Sequence, residues 1–318
     1  MKKVVKTLVA LAAIPFAALA GCSTQETVYF CLGSIAKYSN KAATATAAAS
    51  VQVDVTVAAV LFDKDGKILD VNIDVMQVKS KAIDAATTQL TSAVNSGTDV
   101  KSKWELRDDY GMTSAPKGNW YVQADKFENW SVGKTAVEVA AGGDTLTADV
   151  TITTADYSAA ITEAFATKIE AKGKVADLKV GVGMYSAQAA KQSNVTLGGA
   201  IFDKDGKIVA SKFDVYQAPY VITANGEAFD LTVDEAATKK QVDSVNKVIK
   251  SKHELLNDYG MASTATYGEW YVQANRIADL AEGKSVVELF ANKGEDGVFT
   301  NKADVQISMK VSDYQKVY

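Results

Sequence analysis

Few side chains in this sequence can do chemistry, and several of those recur in similar surroundings. There is one histidine, His253. That argues against a His-based metal site or a Ser-His-Asp centre. Trp104 stands at the equivalent place in an earlier, similar stretch, which further weakens a catalytic reading of His253. Asp63 and Asp65, like Asp203 and Asp205, are spaced as the first ligands of a calcium loop. An EF-hand loop wants glycine at its sixth position, and Gly66 and Gly206 come fourth. Asp-Gly suits a tight hairpin turn instead, because glycine tolerates positive φ. Tyr110, Trp120 and Tyr121, with Tyr259, Trp270 and Tyr271, either pack a core or stack on a flat ligand. Gln123 and Gln273 lie one turn from the tryptophans. They either bond the edge of such a ligand or cap a buried backbone group.

These residues sit in a long internal repeat. Phe62-Asp63-Lys64-Asp65-Gly66-Lys67-Ile68 recurs as Phe202 to Ile208. Glu105-Leu106 through Asp109-Tyr110-Gly111-Met112 recurs as Glu254 through Met261. Trp120-Tyr121-Val122-Gln123-Ala124 recurs as Trp270 to Ala274, and Gly133-Lys134 as Gly283-Lys284. The order is kept and each copy is domain-sized, so the pattern reads as a tandem duplication. Its bounds are residues 25–165 and 176–318, with 166–175 between them and Glu170–Lys174 as the linker. Within each copy, Val51–Leu61 and Val195–Ile201 read as strands. A DKDGK turn follows, and Ile68–Val75 and Ile208–Tyr216 return as alternating strands. Trp120, Ala124 and Phe127 share a helix face, as do Trp270, Ala274 and Ile277, and Gly133 and Gly283 stop those helices. Val150–Ile152 and Val305–Ile307 read as late strands, Tyr157–Ile169 as a helix, and residues 39–50, rich in Ala, Ser and Thr, as a loop or tether. The expected fold class is α+β, a small and mainly antiparallel sheet packed by helices, made twice.

The amino terminus reads as an export signal. Lys2, Lys3 and Lys6 precede an apolar run, Leu8–Leu19, too short to span a bilayer. Leu19-Ala20-Gly21-Cys22 resembles the lipobox of bacterial lipoproteins. That resemblance implies cleavage of residues 1–21, lipid on Cys22 and attachment to the outer face of the cell membrane. Residues 22–50 then hold the lipidated end, a first strand and the low-complexity loop. Several acyl chains anchor stably where one would not. With Cys22 lipidated, Cys31 has no disulfide partner in the chain. A net charge of −4, a pI near 5.3 and no basic stripe make nucleic acid an unsuitable partner.

Taken in order, FDKDGKI, ELxxDYGM, GxWYxQA, VGK or EGK, and a V-T-I segment before a helix resemble the FMN-binding lipoproteins of Gram-positive bacteria, the PplA-like flavoproteins of extracellular electron transfer. The resemblance covers nearly the whole mature chain, in both copies. It implies that a flavin transferase attaches FMN through its phosphate to a Thr, and that a membrane quinone oxidoreductase supplies electrons for acceptors outside the cell. Tyr110, Tyr259, Trp120, Trp270, Gln123 and Gln273 would then flank the flavin ring. The family's attachment string, Asp followed by Ser/Thr-Gly-Ala-Thr, is missing. Thr151, in Asp149-Val150-Thr151-Ile152 with Asp144 upstream, is the nearest position, and its counterpart in the second copy is Gln306, which has no hydroxyl. Thr266, in Ser263-Thr264-Ala265-Thr266, is the first alternative. Asp84 to Thr88 and Asp234 to Thr238 are further Thr-bearing strings. The expected function is electron carriage rather than hydrolysis or kinase chemistry. The alternative is a non-redox surface lipoprotein that binds a small ligand or partner. A third reading makes Phe16–Gly21 the end of a secreted signalling peptide.

Overall fold

The computed structural model describes residues 25–82, 90–92, 100–143, 146, 149–189, 192–222, 229–231 and 241–318. Cys22 and the signal segment, Asp144, and the strings at 84–88 and 234–238 lie outside the described residues. The strands are β1 Glu26–Lys41, β2 Ser50–Phe62, β3 Ile68–Ala82, β4 Leu90–Ser92, β5 Ile169–Gly173, β6 Lys179–Ala189, β7 Gln192–Phe202, β8 Ile208–Ile222, β9 Phe229–Leu231, β10 Val242–Asp243 and β11 Val248–Ile249. The helices are α1 Lys103–Leu106, α2 Trp120–Ser131, α3 Ala136–Gly142, α4 Ala155–Phe165, α5 Lys252–Leu255, α6 Trp270–Ala281, α7 Val286–Leu289, α8 Lys302–Val305 and α9 Ser312–Lys316.

The fold is mixed α+β, with two antiparallel sheets. The first runs β10-β11-β1-β2-β3-β4, with β5 also on β1, and the second runs β6-β7-β8-β9. The sheets face one another across one apolar interior that takes Val51, Val53, Val55 and Val57 from the first and Val195, Leu197, Ile201 and Tyr216 from the second. The outer face of the first sheet, with Ala58, Val60 and Phe62, is covered by Trp120, Phe127 and Ile161 of α2 and α4. On the second, Phe213 and Val215 are covered by Trp270 and Ile277 of α6 and Tyr314 of α9. The layers are therefore helix, sheet, sheet, helix. Strands buried on both faces read as continuous apolar runs, as the second half of β2, Val57–Phe62, does. Two glycines set the layer spacing. A Cβ at Gly33 would lie 2.1 Å from the Ala164 backbone N of α4, and one at Gly199 would lie 2.8 Å from Leu32 across the interior.

Both DKDGK segments are hairpin turns. Asp63 Oδ1 accepts from the backbone N–H of Asp65 at 2.9 Å and of Lys67 at 2.8 Å. Asp203 repeats this with Asp205 and Lys207, both at 2.9 Å. Gly66 and Gly206 take φ of 79° and 73°. Of the carboxylates that resembled calcium ligands, those of Asp63 and Asp203 are spent on the turns and those of Asp65 and Asp205 pair with Lys64 and Lys204.

Four local expectations give way. Residues 39–50 are loop only in part, since β1 and β2 stay in register out to Lys41↔Ser50, which confines the loop to 42–49. The low-complexity composition hid only the strand ends, 39–41 and 50. The segment expected as a linker is β5, which pairs with the start of β1 from Glu26↔Gly173 to Phe30↔Ile169. For the same reason α4 ends at Phe165, and Ile169 belongs to a strand. Val150–Ile152 and Val305–Ile307 are not strands: the first is irregular, and the second ends α8 with Gln306 in the left-handed region at φ 55°. Their β-branched residues favour strands only where a neighbour strand exists to pair with.

The shared interior has an energetic consequence. Strand β11, beyond the expected linker, pairs with β1 through Ala36↔Ile249 and Lys37↔Val248. Residues 176–318 alone would expose one wall of the interior, and apolar burial is the main favourable term in folding. We expect that fragment to melt broadly and bind a hydrophobic dye, while residues 25–318 together melt in one sharp transition. A sharp calorimetric transition for the fragment would contradict the shared-core account.

Candidate functional site

The two sequence-singled glutamines build a matched pair of sites. Gln123 lies in the first turns of α2 and is fully buried, at 0% exposure. Its Nε2 donates to the Gly118 carbonyl at 2.7 Å. Its Oε1 accepts from the backbone N–H of Thr151 at 2.6 Å and of Ile152 at 3.2 Å, and from the Thr151 hydroxyl at 3.2 Å. Gln273 in α6 does the same. Its Nε2 donates to the Gly268 carbonyl at 3.1 Å, and its Oε1 accepts from Ser308 N–H at 2.8 Å, Met309 N–H at 3.3 Å and the Ser308 hydroxyl at 3.3 Å. Ser308, not Gln306, is therefore the counterpart of Thr151. Aligning Ala148-Asp149-Val150 with Ala303-Asp304-Val305 misplaces the register by two residues. Counting back six residues from Tyr157 and from Tyr314 recovers it.

A cation completes each clamp one turn further along the helix. Lys126 Nζ donates to the Asp149 carbonyl at 3.3 Å, and Arg276 Nη1 to the Gln306 carbonyl at 2.9 Å. Each carbonyl lies two residues before its hydroxyl. Arg276 Nη1 also reaches the Tyr267 carbonyl at 2.9 Å, which ties the loop bearing exposed Thr266 to the Ser308 segment. Thr151 is exposed and Ser308 half-buried. Each hydroxyl proton is directed inward at an amide carbonyl, so the oxygen's lone pairs are left for a group outside. Sequence reasoning missed Ser308, Lys126 and Arg276, although the repeated Gln-x-x-Lys/Arg spacing was legible.

The tryptophans are core. Trp120 and Trp270 are 1% and 2% exposed, and each indole donates at 2.8 Å to a buried phenol, Tyr157 or Tyr314. Burial pushes the Tyr157 phenol up to about 12. Trp104 meets Trp120 edge-on at 6.5 Å, and His253 takes that role against Trp270 at 5.2 Å. Burial holds the His253 imidazole below its ordinary value. The Tyr110 hydroxyl donates to Gln77 at 2.9 Å. The Lys103 ammonium lies 4.7 Å from the Tyr110 ring, and Lys252 lies 4.5 Å from that of Tyr259. Gly111 and Gly260, at φ 86° and 73°, end the tight turns that Asp-Tyr-Gly marks. Cys31 is buried at 0% exposure with its thiol pushed up to about 12 by desolvation, which leaves it inert.

Beside Ser308 a hollow of about 240 Å³ is lined by Lys252, Met261, Trp270, Met309, Lys310 and Tyr314. Sites that enclose a ligand run to about 300–1,000 Å³, so this one takes at most part of a larger group. Among the described residues no group of three or more His, Cys, Asp or Glu could hold a metal. No protein family, curated protein or solved structure matches this chain significantly.

The clamp's energetic role is testable. Replacing Gln123 by Met removes the acceptor while keeping the volume. The Thr151 and Ile152 N–H groups then lack a partner, at a cost of about 1–3 kcal/mol. We expect Gln123→Met and Gln273→Met each to lose stability in that range by urea denaturation. A loss below about 0.5 kcal/mol, typical of plain surface substitutions, would show the clamp to be idle.

Proposed function

We propose that the protein is an exported, lipid-anchored electron carrier in which the clamped hydroxyls bear FMN through its phosphate. The observation that carries this reading is the matched pair of sites: a hydroxyl oriented by a buried glutamine amide, two residues after a carbonyl held by a cation, on both outer flanks of the sandwich. The correspondence of the two halves, contact by contact, supports their origin by tandem duplication. Lys126 and Arg276 can neutralise a phosphate linked to Thr151 or Ser308, since charge-assisted contacts to phosphate are the strong ones. A flavin supplies one- and two-electron chemistry when bound. The chain's residues fit the phosphate end better than the ring end. Both tryptophans are buried, the glutamine amides are spent, and the hollow beside Ser308, which Trp270 lines, is small. The ring would therefore lie at the surface, near Lys252 and Met309, where partners can approach it. A flavin transferase and a membrane quinone oxidoreductase are the partners this reading requires, and the location is the outer face of the cell membrane.

The same packed tryptophans and spent amides favour the second reading, a non-redox lipoprotein that binds a small ligand or partner. Co-expression with a flavin transferase separates the two. We expect a yellow protein whose peptides carry FMN at Thr151 and Ser308, each adduct being lost in the corresponding alanine variant. An adduct on Thr266 alone would keep the carrier and move its site. An unmodified mass, in cells that label another flavinylated protein, would leave the non-redox reading standing.

A further inference from the structure

The chain enters the fold at one end of the sandwich. Strand β1 starts at Glu26, beyond the Tyr29↔Phe62 pair, so its first residues run beside the turn at 63–67. Lys168 lies over both Tyr29 and Phe165, and the Phe165 ring would be 3.3 Å from a Cβ at Gly66. The second hairpin lies at the same end. Val180, near the start of β6, bonds Asp70 and Asn72 near the start of β3, while the Ser80 and Tyr220 hydroxyls meet far along β3 and β8. From Cys22 to Glu26 is a tether of at most about 14 Å. A lipid on Cys22 would hold this end close to the bilayer.

The surface there suits that position. Four hairpin lysines are paired with carboxylates: Lys64–Asp65 at 2.8 Å, Lys67–Glu138 at 2.7 Å, Lys204–Asp205 at 2.8 Å, and Lys207–Glu288. Beside two of those pairs a valine stands out in each half, Val137 at 77% and Val287 at 81% exposure, at the second position of α3 and α7. We propose that this hairpin end, with Val137 and Val287 on it, is the face held against the lipid headgroups. The proposal rests on lipidation of Cys22. Ile68 backbone bonds to Gly133 and Lys134 fasten the C-terminal end of α2 to the same end, and the equivalent bonds of Ile208 fasten α6. Gln123 and Gln273 lie ten residues up those helices, about 15 Å from that end along the helix axis. Thr151 and Ser308 are thus raised off the bilayer on both flanks.

The test uses the full lipidated chain with single cysteines at Val137→Cys, Val287→Cys or Val245→Cys, each carrying a small fluorophore. Val245 is as exposed, at 87%, but lies in the β10–β11 turn, whose Lys247 carbonyl accepts from Tyr38 near the opposite end of β1. Buried Cys31 stays unlabelled. On phosphatidylcholine–phosphatidylglycerol vesicles with headgroup-nitroxide lipid, we expect quenching several-fold stronger at positions 137 and 287 than at 245. Equal quenching at all three, or the strongest at 245, overturns the proposal while leaving the anchor intact. A lipidated chain that does not float with the vesicles overturns the anchoring reading, and this orientation with it.

Discussion

Both sheets of this protein are apolar on both faces, and that constraint organises everything else. A sheet of this kind must be covered twice. Here each covers the other on the inside, and helices cover the outsides. The helices that do so, α2 and α6, must bury an apolar stripe, and in doing so they carry a polar residue, Gln123 or Gln273, into a dry environment. A buried amide must have its hydrogen bonds made within the protein. The glutamines meet that demand by gathering irregular segments, 149–152 and 306–309, whose own backbone groups need partners. The clamp is thus a consequence of how the outer layer packs.

That origin explains why the clamps hold their hydroxyls at the surface and not in a deep cleft. Each segment is fastened at its backbone by glutamine and by a lysine or arginine, so the hydroxyl is positioned even though it faces solvent. Positioning without enclosure suits a group bound covalently, whose retention does not depend on burying its surface. It suits a freely dissociating ligand less well, since such ligands lose most of their surface to a pocket.

Much of the architecture was legible because the repeated strings carry structural duties. FDKDGKI is a turn in which an aspartate satisfies the loop's own N–H groups. In ELxxDYGM, Glu105 and Glu254 close capping boxes with Ser102 and Ser251, and the glycine takes a positive φ. In WYxQA, the tryptophan is core and the glutamine is the clamp. The pairing of β5 and β11 with β1 was not legible, because short strands take their meaning from a neighbour distant in sequence. The partnership of Thr151 with Ser308 was hidden by a local alignment of similar strings that differ in structure. Valine and threonine in 150–152 suggested a strand, but among the described residues no strand pairs with them.

The central claim is that buried glutamines pin otherwise irregular segments at two hydroxyls. Native-state hydrogen exchange of individual backbone amides tests it most directly. The account predicts that the Thr151, Ile152, Ser308 and Met309 amides, though outside any helix or strand, exchange as slowly as amides in the middle of α2 and α6. Exchange of those four amides at the rate of an unprotected loop, with α2 and α6 still protected, would contradict it.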